Sequence, residues 1–332
     1  MFLKKNLHYF IVLALLAGIS VVYCCGGFNT PKSYLIFIVV FFVILPVMIN
    51  TDFAEIFAHF KEPRPVFCSI FLNFLVSPAL AFAAGSLFLR DQPLLFTGLI
   101  LISLIPTSSM SVAWTSFSGA NLATALYLTP INILFAAFIG LPVIFPLLAD
   151  KFIEINTFMI VRNIFTVFFI PLILGGILRK LIIRFKGEGF FSEKVKPNTG
   201  TVSGAGILVL IFLVMSQQRN AMLLDNYKTL LFAVIPVFLY YVLMYAASVL
   251  WMKQLVRKNV VDSAKGLVLV YTSVARHVNI SIAIALSSFT VDQAAAVMFV
   301  LVIAYLVQVP GLAFFAQNYG KNFIRKSTGA AL

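Results

Sequence analysis

The sequence predicts an all-α integral membrane protein of ten transmembrane helices, arranged as two inverted five-helix repeats. Three observations carry this expectation: a composition too poor in charge for a soluble globule, basic residues that alternate between the two sides of the spans, and a weak colinear repeat between the halves of the chain.

Of 332 residues, 61% are apolar and 11% charged, and the mean hydropathy is +1.04, whereas a soluble domain carries roughly 25% charged residues. Apolar segments long enough to cross a bilayer, which takes about 20 residues of helix, recur from Tyr9 to Phe315. Their hydrophobicity is continuous rather than alternating, so they are helices and not barrel strands. The spans fall at about 8–27, 33–50, 65–89, 93–117, 122–148, 159–182, 199–218, 228–252, 263–288 and 292–317. The first is preceded by Lys4 and Lys5, as a secretory leader would be. Tyr23, however, is bulky where a cleavage site takes a small residue, so the segment reads as an uncleaved first helix.

An even number of spans puts both termini on one side. With the termini in the cytoplasm, 17 of the 24 Lys and Arg residues lie inside, six lie outside, and Arg276 falls within a span. This bias alternates loop by loop and would collapse if one span were missed or invented, so it supports the count and the orientation together. The expected location is the cell's inner membrane, multi-pass, with both termini cytoplasmic. The net charge of +13 then marks topology rather than a nucleic-acid-binding domain. Cys24, Cys25 and Cys68 give neither a disulfide framework nor a metal-ligand spacing, and no cofactor is expected.

Gly98-Leu99-Ile100-Leu101-Ile102-Ser103 in the fourth span is echoed by Gly266-Leu267-Val268-Leu269-Val270-Tyr271 in the ninth. Asn121 to Ala125 likewise faces Asp292 to Ala296, and Ala83 to Ser86 faces Ala246 to Ser248, with the order preserved. Five spans per half is an odd number, so the second half enters the membrane from the opposite side and the repeat is inverted, as in secondary transporters. The expected organisation is residues 1–185 for the first five helices (about 8–148) plus helix 6 (about 159–182), residues 186–198 for a cytoplasmic linker, and residues 199–317 for helices 7–10.

In such architectures substrates and ions bind near the midplane, where a helix in each half is interrupted and its half-helix dipoles face the site. The fourth span contains Pro106-Thr107-Ser108-Ser109-Met110-Ser111, and the ninth contains Thr272-Ser273-Val274-Ala275-Arg276-His277-Val278-Asn279-Ile280-Ser281. Small hydroxyl residues also serve ordinary helix packing. Arg276 is different, because an arginine at helix centre costs roughly 2.5–3.5 kcal/mol on insertion scales, and all eleven acidic residues lie at span ends or in loops. A guanidinium without a carboxylate partner suits an anionic ligand, which it can hold bidentately. The candidate substrate-binding residues are therefore Arg276, His277, Asn279, Thr107, Ser108 and Ser109. His277 has the chemistry either to titrate near neutral pH or to donate a neutral hydrogen bond. Asn73, Asn121, Thr129 and Asn132 supply the oxygen ligands a sodium ion takes, although backbone capping and interhelical bonding explain each equally well.

Leu72-Asn73-Phe74-Leu75-Val76-Ser77-Pro78, with Asn73 five residues before Pro78, resembles the third-helix motif of the bile acid:sodium symporter superfamily, which also includes arsenite permeases of the Acr3 type. Pro106 to Thr115, Gly119 to Asn121 and Thr129 are similar to the family's broken fourth helix and the start of its fifth. The likeness extends over essentially the whole chain. It implies a panel domain of helices 1, 2, 6 and 7 and a core domain of helices 3–5 and 8–10, in which helices 4 and 9 unwind and cross. It also implies two sodium sites behind that crossover, with Na+ as coupling ion. By this resemblance Asn73, Ser111 and Thr129 fall on sodium ligands, and Asn121 joins them as a candidate. Ser273 and His277 fall on ninth-helix positions that hold a Glu and a Gln in the symporters. This chain departs from the pattern at Val112 in place of an Asn, Ala125 in place of a Ser, and Ser273 in place of the carboxylate. Thr107 stands where the arsenite permeases have a Cys, and about Ser281 where they have a Glu.

The expected function is secondary active transport of a small or amphipathic organic anion by alternating access, with sodium, a proton or no ion open as the driving species. The alternatives are an arsenite or antimonite efflux permease and, more distantly, a membrane receptor or scaffold. An enzyme is not expected, since no paired intramembrane Asp residues, HExxH helix or Ser with a His base occurs at membrane depth.

Overall fold

The computed structural model describes residues 7–50, 62–107, 109–149, 162–163, 165–217 and 227–327. Among the described residues every regular element is helical, and β-type pairing is confined to two isolated bridges, Phe28 with Gln217 and Pro106 with Arg276. Helix α1 covers Leu7–Cys25, α2 Lys32–Met48 and α3 Pro63–Phe88. The fourth expected span is divided into α4, Pro93–Ser103, and α5, Ser109–Phe117. Helix α6 covers Leu122–Ala149, α7 Ile170–Phe190, α8 Lys196–Met215 and α9 Tyr227–Arg257. The ninth expected span is divided in the same way into α10, Ser263–Val274, and α11, Val278–Ser288, before α12, Val291–Phe315, and α13, Lys321–Ser327.

Five stretches are long and apolar enough to cross a bilayer by length and composition: Pro63–Phe88, Leu122–Ala149, Ile170–Met215, Ala233–Arg257 and Val291–Arg325. Tyr9–Cys25, Lys32–Met48, Pro93–Ser103 and Val278–Ser288 are shorter apolar helices. The last two are short because each is one half of a divided span. Residues 186–198 are helical apart from Gly187, whose φ of +84° ends one helical course and begins the next. Such an angle costs glycine nothing.

Proline sets the local texture of these helices. π-helical turns occupy Val39–Ile44, Leu72–Val76, Ala136–Ile144, Phe165–Phe169 and Phe191–Val195. One residue separates the end of each from a proline, Pro46, Pro78, Pro146, Pro171 and Pro197 respectively, whereas a sixth π-helical turn, Ala316–Gly320, has no proline after it. A proline ring clashes with the carbonyl four residues back and has no N–H to offer it, so the preceding turn widens instead of breaking. Asparagine and aspartate begin other helices: the Asn121 side chain accepts from the Thr124 amide at 2.9 Å to start α6, and Asp262 accepts from the Lys265 amide at 2.7 Å to start α10.

The chain divides into two compact units. The first comprises Met1–Phe53, Asn156–Leu231 and Asn279–Val302. In it α8 packs along α1 and α2, and α7 packs on the end of α2. Small residues permit this closeness: a Cβ on Gly175 would stand 2.7 Å from the Met48 backbone carbon, and one on Gly206 would stand 3.0 Å from Phe42. The Lys32 ammonium donates to the carbonyls of Phe289 (2.7 Å) and Ser287 (3.2 Å), and Asn163 donates to Ser287 at 2.9 Å. These cap the C-terminal end of α11, where positive charge is favoured.

The second unit comprises Ala54–Ile155, Phe232–Val278 and Ile303–Leu332. Its interior is apolar, with Leu72, Phe96, Leu99, Ile100, Leu128, Val237 and Leu267 fully buried. Both helix breaks lie in this unit, at residues 104–107 and 275–277.

Candidate functional site

The two breaks meet. Helix α4 ends at Ser103, and Pro106 cannot continue it because it has no amide to donate. Thr107 then turns back with a φ of +57°. Helix α10 ends at Val274, and Ala275 is extended at φ −69°, ψ 118°. The two extended segments pair as an antiparallel bridge between Pro106 and Arg276, in which the His277 amide donates to the Ile105 carbonyl at 2.9 Å. The spans expected to break do so at the residues where the sequence places proline and arginine.

Among the described residues Arg276 is the largest fully buried side chain, with 1% of its surface exposed. Its main chain is held by Gln308 of α12: the Arg276 amide donates to Oε1 at 2.8 Å, and Nε2 donates to the Arg276 carbonyl at 3.2 Å. Tyr241 donates to the same Oε1 at 3.1 Å. The guanidinium Nη1 donates to the Ser103 carbonyl at 3.0 Å, and its carbon lies 5.9 Å from the centre of the Tyr240 ring. The Ser77 hydroxyl donates to that same carbonyl at 2.8 Å and is 2.8 Å from the Tyr240 hydroxyl. Among the described residues Nε and Nη2 of Arg276 find no acceptor, and the ion pairs are those of Lys265 with Glu62 and Asp262. The result is a buried, fixed guanidinium with one edge tied to the end of α4 and the other edge unused.

The remaining candidates distribute as follows. His277 is buried, with 6% of its surface exposed, next to Arg276 in the break. The Thr107 hydroxyl donates to the Pro106 carbonyl at 2.8 Å and the Thr129 carbonyl at 3.3 Å. Thr129 donates to Ala125, four residues back in its own helix, and Ser273 donates to Leu269 in the same manner. Ser111 is buried, and its carbonyl accepts from Thr115 at 2.7 Å. Asn121 is the cap of α6 and also accepts from the Thr124 hydroxyl at 3.1 Å. Asn279, in the first unit, donates to Ser203 at 2.9 Å, and Ser203 donates to the Val43 carbonyl at 2.8 Å. Ser108 and the side chain of Ser109 lie outside the described residues.

Asn73 sits in the π-helical turn before Pro78, which gives the five-residue spacing of that motif its physical sense. Its Nδ2 donates to Ser69 at 3.2 Å and lies 3.4 Å from Oδ1 of Asn132. Asn132 donates to Ser69 and to the Leu128 carbonyl, both at 2.8 Å. All three side chains are fully buried, and Oδ1 of Asn73 has no partner among the described residues.

The family model of the sodium bile acid symporter family matches residues 37–225, more than half of the chain. The chain belongs to that family. It is a transporter-family membrane protein. It is similar to the arsenical-resistance protein Acr3 of Corynebacterium glutamicum, 27% identical over 74% of this chain and 66% of that protein. The Acr3 protein of Alkaliphilus metalliredigens is 24% identical over 82% of this chain and 77% of its own length. A protein of Oryza sativa subsp. japonica, named probable sodium/metabolite cotransporter BASS2, chloroplastic, is 25% identical over 43% of this chain and 34% of its own length.

Within this family member, the residues that organise the break include four that single-residue reading of the chain passes over: Gln308, Tyr240, Tyr241 and Ser77. Each lies in a predominantly apolar helix. The signal that finds them is the demand that buried polar groups be paired, applied once Arg276 is known to be inside.

Proposed function

We propose that this protein is a secondary active transporter of a small or amphipathic organic anion, working by alternating access at the paired breaks, with Arg276 as the charge partner. A panel of helices 1, 2, 6 and 7 and a core of helices 3–5 and 8–10 is the corresponding division of labour. The carrying observation is the unused edge of the Arg276 guanidinium, Nε and Nη2, buried without an acceptor. A charge left in that condition is costly, and a carboxylate or similar anion presents two oxygens that match the fork. Membership of a transporter family supports the same reading.

A second reading, arsenite or antimonite efflux, is favoured by the two relatives named arsenical-resistance proteins. Thr107 bears on it, because a hydroxyl stands where the resemblance puts a thiol.

The test is thermal unfolding of the purified protein against a panel of organic anions, bile salts and arsenite, with wild type and Arg276→Leu side by side. A ligand at 100 times its dissociation constant adds about 2.7 kcal/mol. An organic anion is expected to stabilise the wild type alone, and arsenite neither. Equal responses from both proteins would make Arg276 a purely structural residue. Stabilisation by arsenite, together with arsenic resistance conferred on a sensitive host, would favour the second reading.

A further inference from the structure

We infer that the Arg276 guanidinium is a tethered cation: it occupies the position that an alkali-metal ion takes at the C-terminal end of a broken membrane helix, so that the protein needs no sodium at this break. The inference rests on reading the paired breaks as the transport site, but not on the substrate being an anion.

The C-terminal end of a half-helix carries partial negative charge on carbonyls that lack an intrahelical partner. In broken-helix transporters those carbonyls are where a small cation binds. Here four of the carbonyls around the break are already occupied from within the chain. Ser103, the last residue of α4, accepts from both the Arg276 guanidinium and the Ser77 hydroxyl. The Ile105 carbonyl accepts the His277 amide, the Pro106 carbonyl the Thr107 hydroxyl, and the Arg276 carbonyl both Gln308 Nε2 and the Val278 amide. A bare cation would have to displace those donors.

Charge and side-chain chemistry point the same way. Position 273, one residue before the end of α10, is a serine whose hydroxyl is donated within its own helix. A permanent guanidinium, which does not lose its proton in proteins, supplies the one positive charge the helix end requires, and Gln308 fixes its main chain so that it cannot leave. An ion that binds and dissociates is thereby replaced by one covalently held.

The experiment compares thermal unfolding of the full chain in sodium chloride and in choline chloride at equal ionic strength, with no substrate added. Wild type, Arg276→Lys and Arg276→Gln are measured. Wild type and Arg276→Lys are expected to melt at the same temperature in both salts. Arg276→Gln, with the charge removed, is expected to gain a midpoint that rises by several degrees with sodium and stays low in choline. A sodium-specific rise in the wild type would overturn the inference. So would an Arg276→Gln protein that ignores sodium, or one that unfolds in both salts, since an added ion would then fail to stand in for the guanidinium. The anion panel reads out independently. An anion response with no sodium gain in Arg276→Gln leaves the transport reading standing without the tethered cation, and the reverse result leaves the tethered cation without the anion.

Discussion

Gln308 binds both main-chain polar groups of Arg276 with one amide, accepting from its N–H at 2.8 Å and donating to its carbonyl at 3.2 Å. A helix that breaks inside a membrane frees backbone groups that water cannot reach, and this side chain takes over the work of the missing helical turn. Gln308→Leu is expected to leave the Arg276 N–H and the Tyr241 hydroxyl buried and unpaired, at about 1–3 kcal/mol each, while the Arg276 carbonyl keeps the Val278 amide. Thermal or denaturant unfolding in detergent would register the loss. A change below about 0.5 kcal/mol would mean that the two groups find other partners.

Asn73 and Asn132 are expected to be energetically coupled through Ser69. In a double-mutant cycle of Asn73→Ala and Asn132→Ala, the interaction energy should reach about 0.5–3 kcal/mol, because the pair shares one buried network. Strict additivity of the two unfolding free energies would show that the 3.4 Å approach of the amides contributes nothing.

Asn121 is expected to act as a helix cap in the first place. Replacing it by Ala should cost about 0.5–2 kcal/mol, and replacing it by Ser or Asp much less, since either restores an acceptor for the Thr124 amide. The check is the rank order Asn, Asp, Ser above Ala in unfolding temperature. A protein in which Asp and Ala are equally damaging would point away from capping.

Gly175 and Gly85 both sit in tight contacts, but their neighbours differ in kind. A Cβ at Gly175 would meet backbone atoms of Met48 and Ile49, whereas one at Gly85 would meet the Phe96 ring. A ring can turn aside and a packed backbone cannot, so Gly175→Ala is expected to be the more damaging, within the 1–3 kcal/mol typical of overpacking. Comparison of the two variants' melting temperatures decides it, and the reverse order would refute the distinction.

Much of this architecture is legible in the chain because membrane burial leaves coarse marks. Ten apolar runs are separated by short polar breaks, and helix covers part or all of each of them. The two interruptions fall where Pro106 removes a donor and where Arg276, alone among the basic residues, stands near the centre of a span. The prolines were visible too, yet their effect was not, since nothing local says that a turn will widen rather than break. Gln308, Tyr240 and Ser77 are invisible for another reason. Their role is to answer polar groups brought to them from distant parts of the sequence, and an isolated amide or hydroxyl in an apolar run reads the same whether or not it has such a partner. Asn121 lay between these cases: Asn before an apolar run, with Thr124 three residues on, is a cap by local rules, and the capping contact is what the fold contains.

Thr107 is a β-branched residue in the left-handed region, φ +57°, a conformation that costs of order 1–3 kcal/mol and persists only where its surroundings enforce it. The two carbonyls that receive its hydroxyl, and the bridge beside it, do the enforcing. The backbone at this point is therefore wound against its own preference, like a catch held under tension. A rearrangement that frees residue 107 to return to the right-handed side recovers that energy, and this lowers the barrier to leaving the described conformation rather than to entering it.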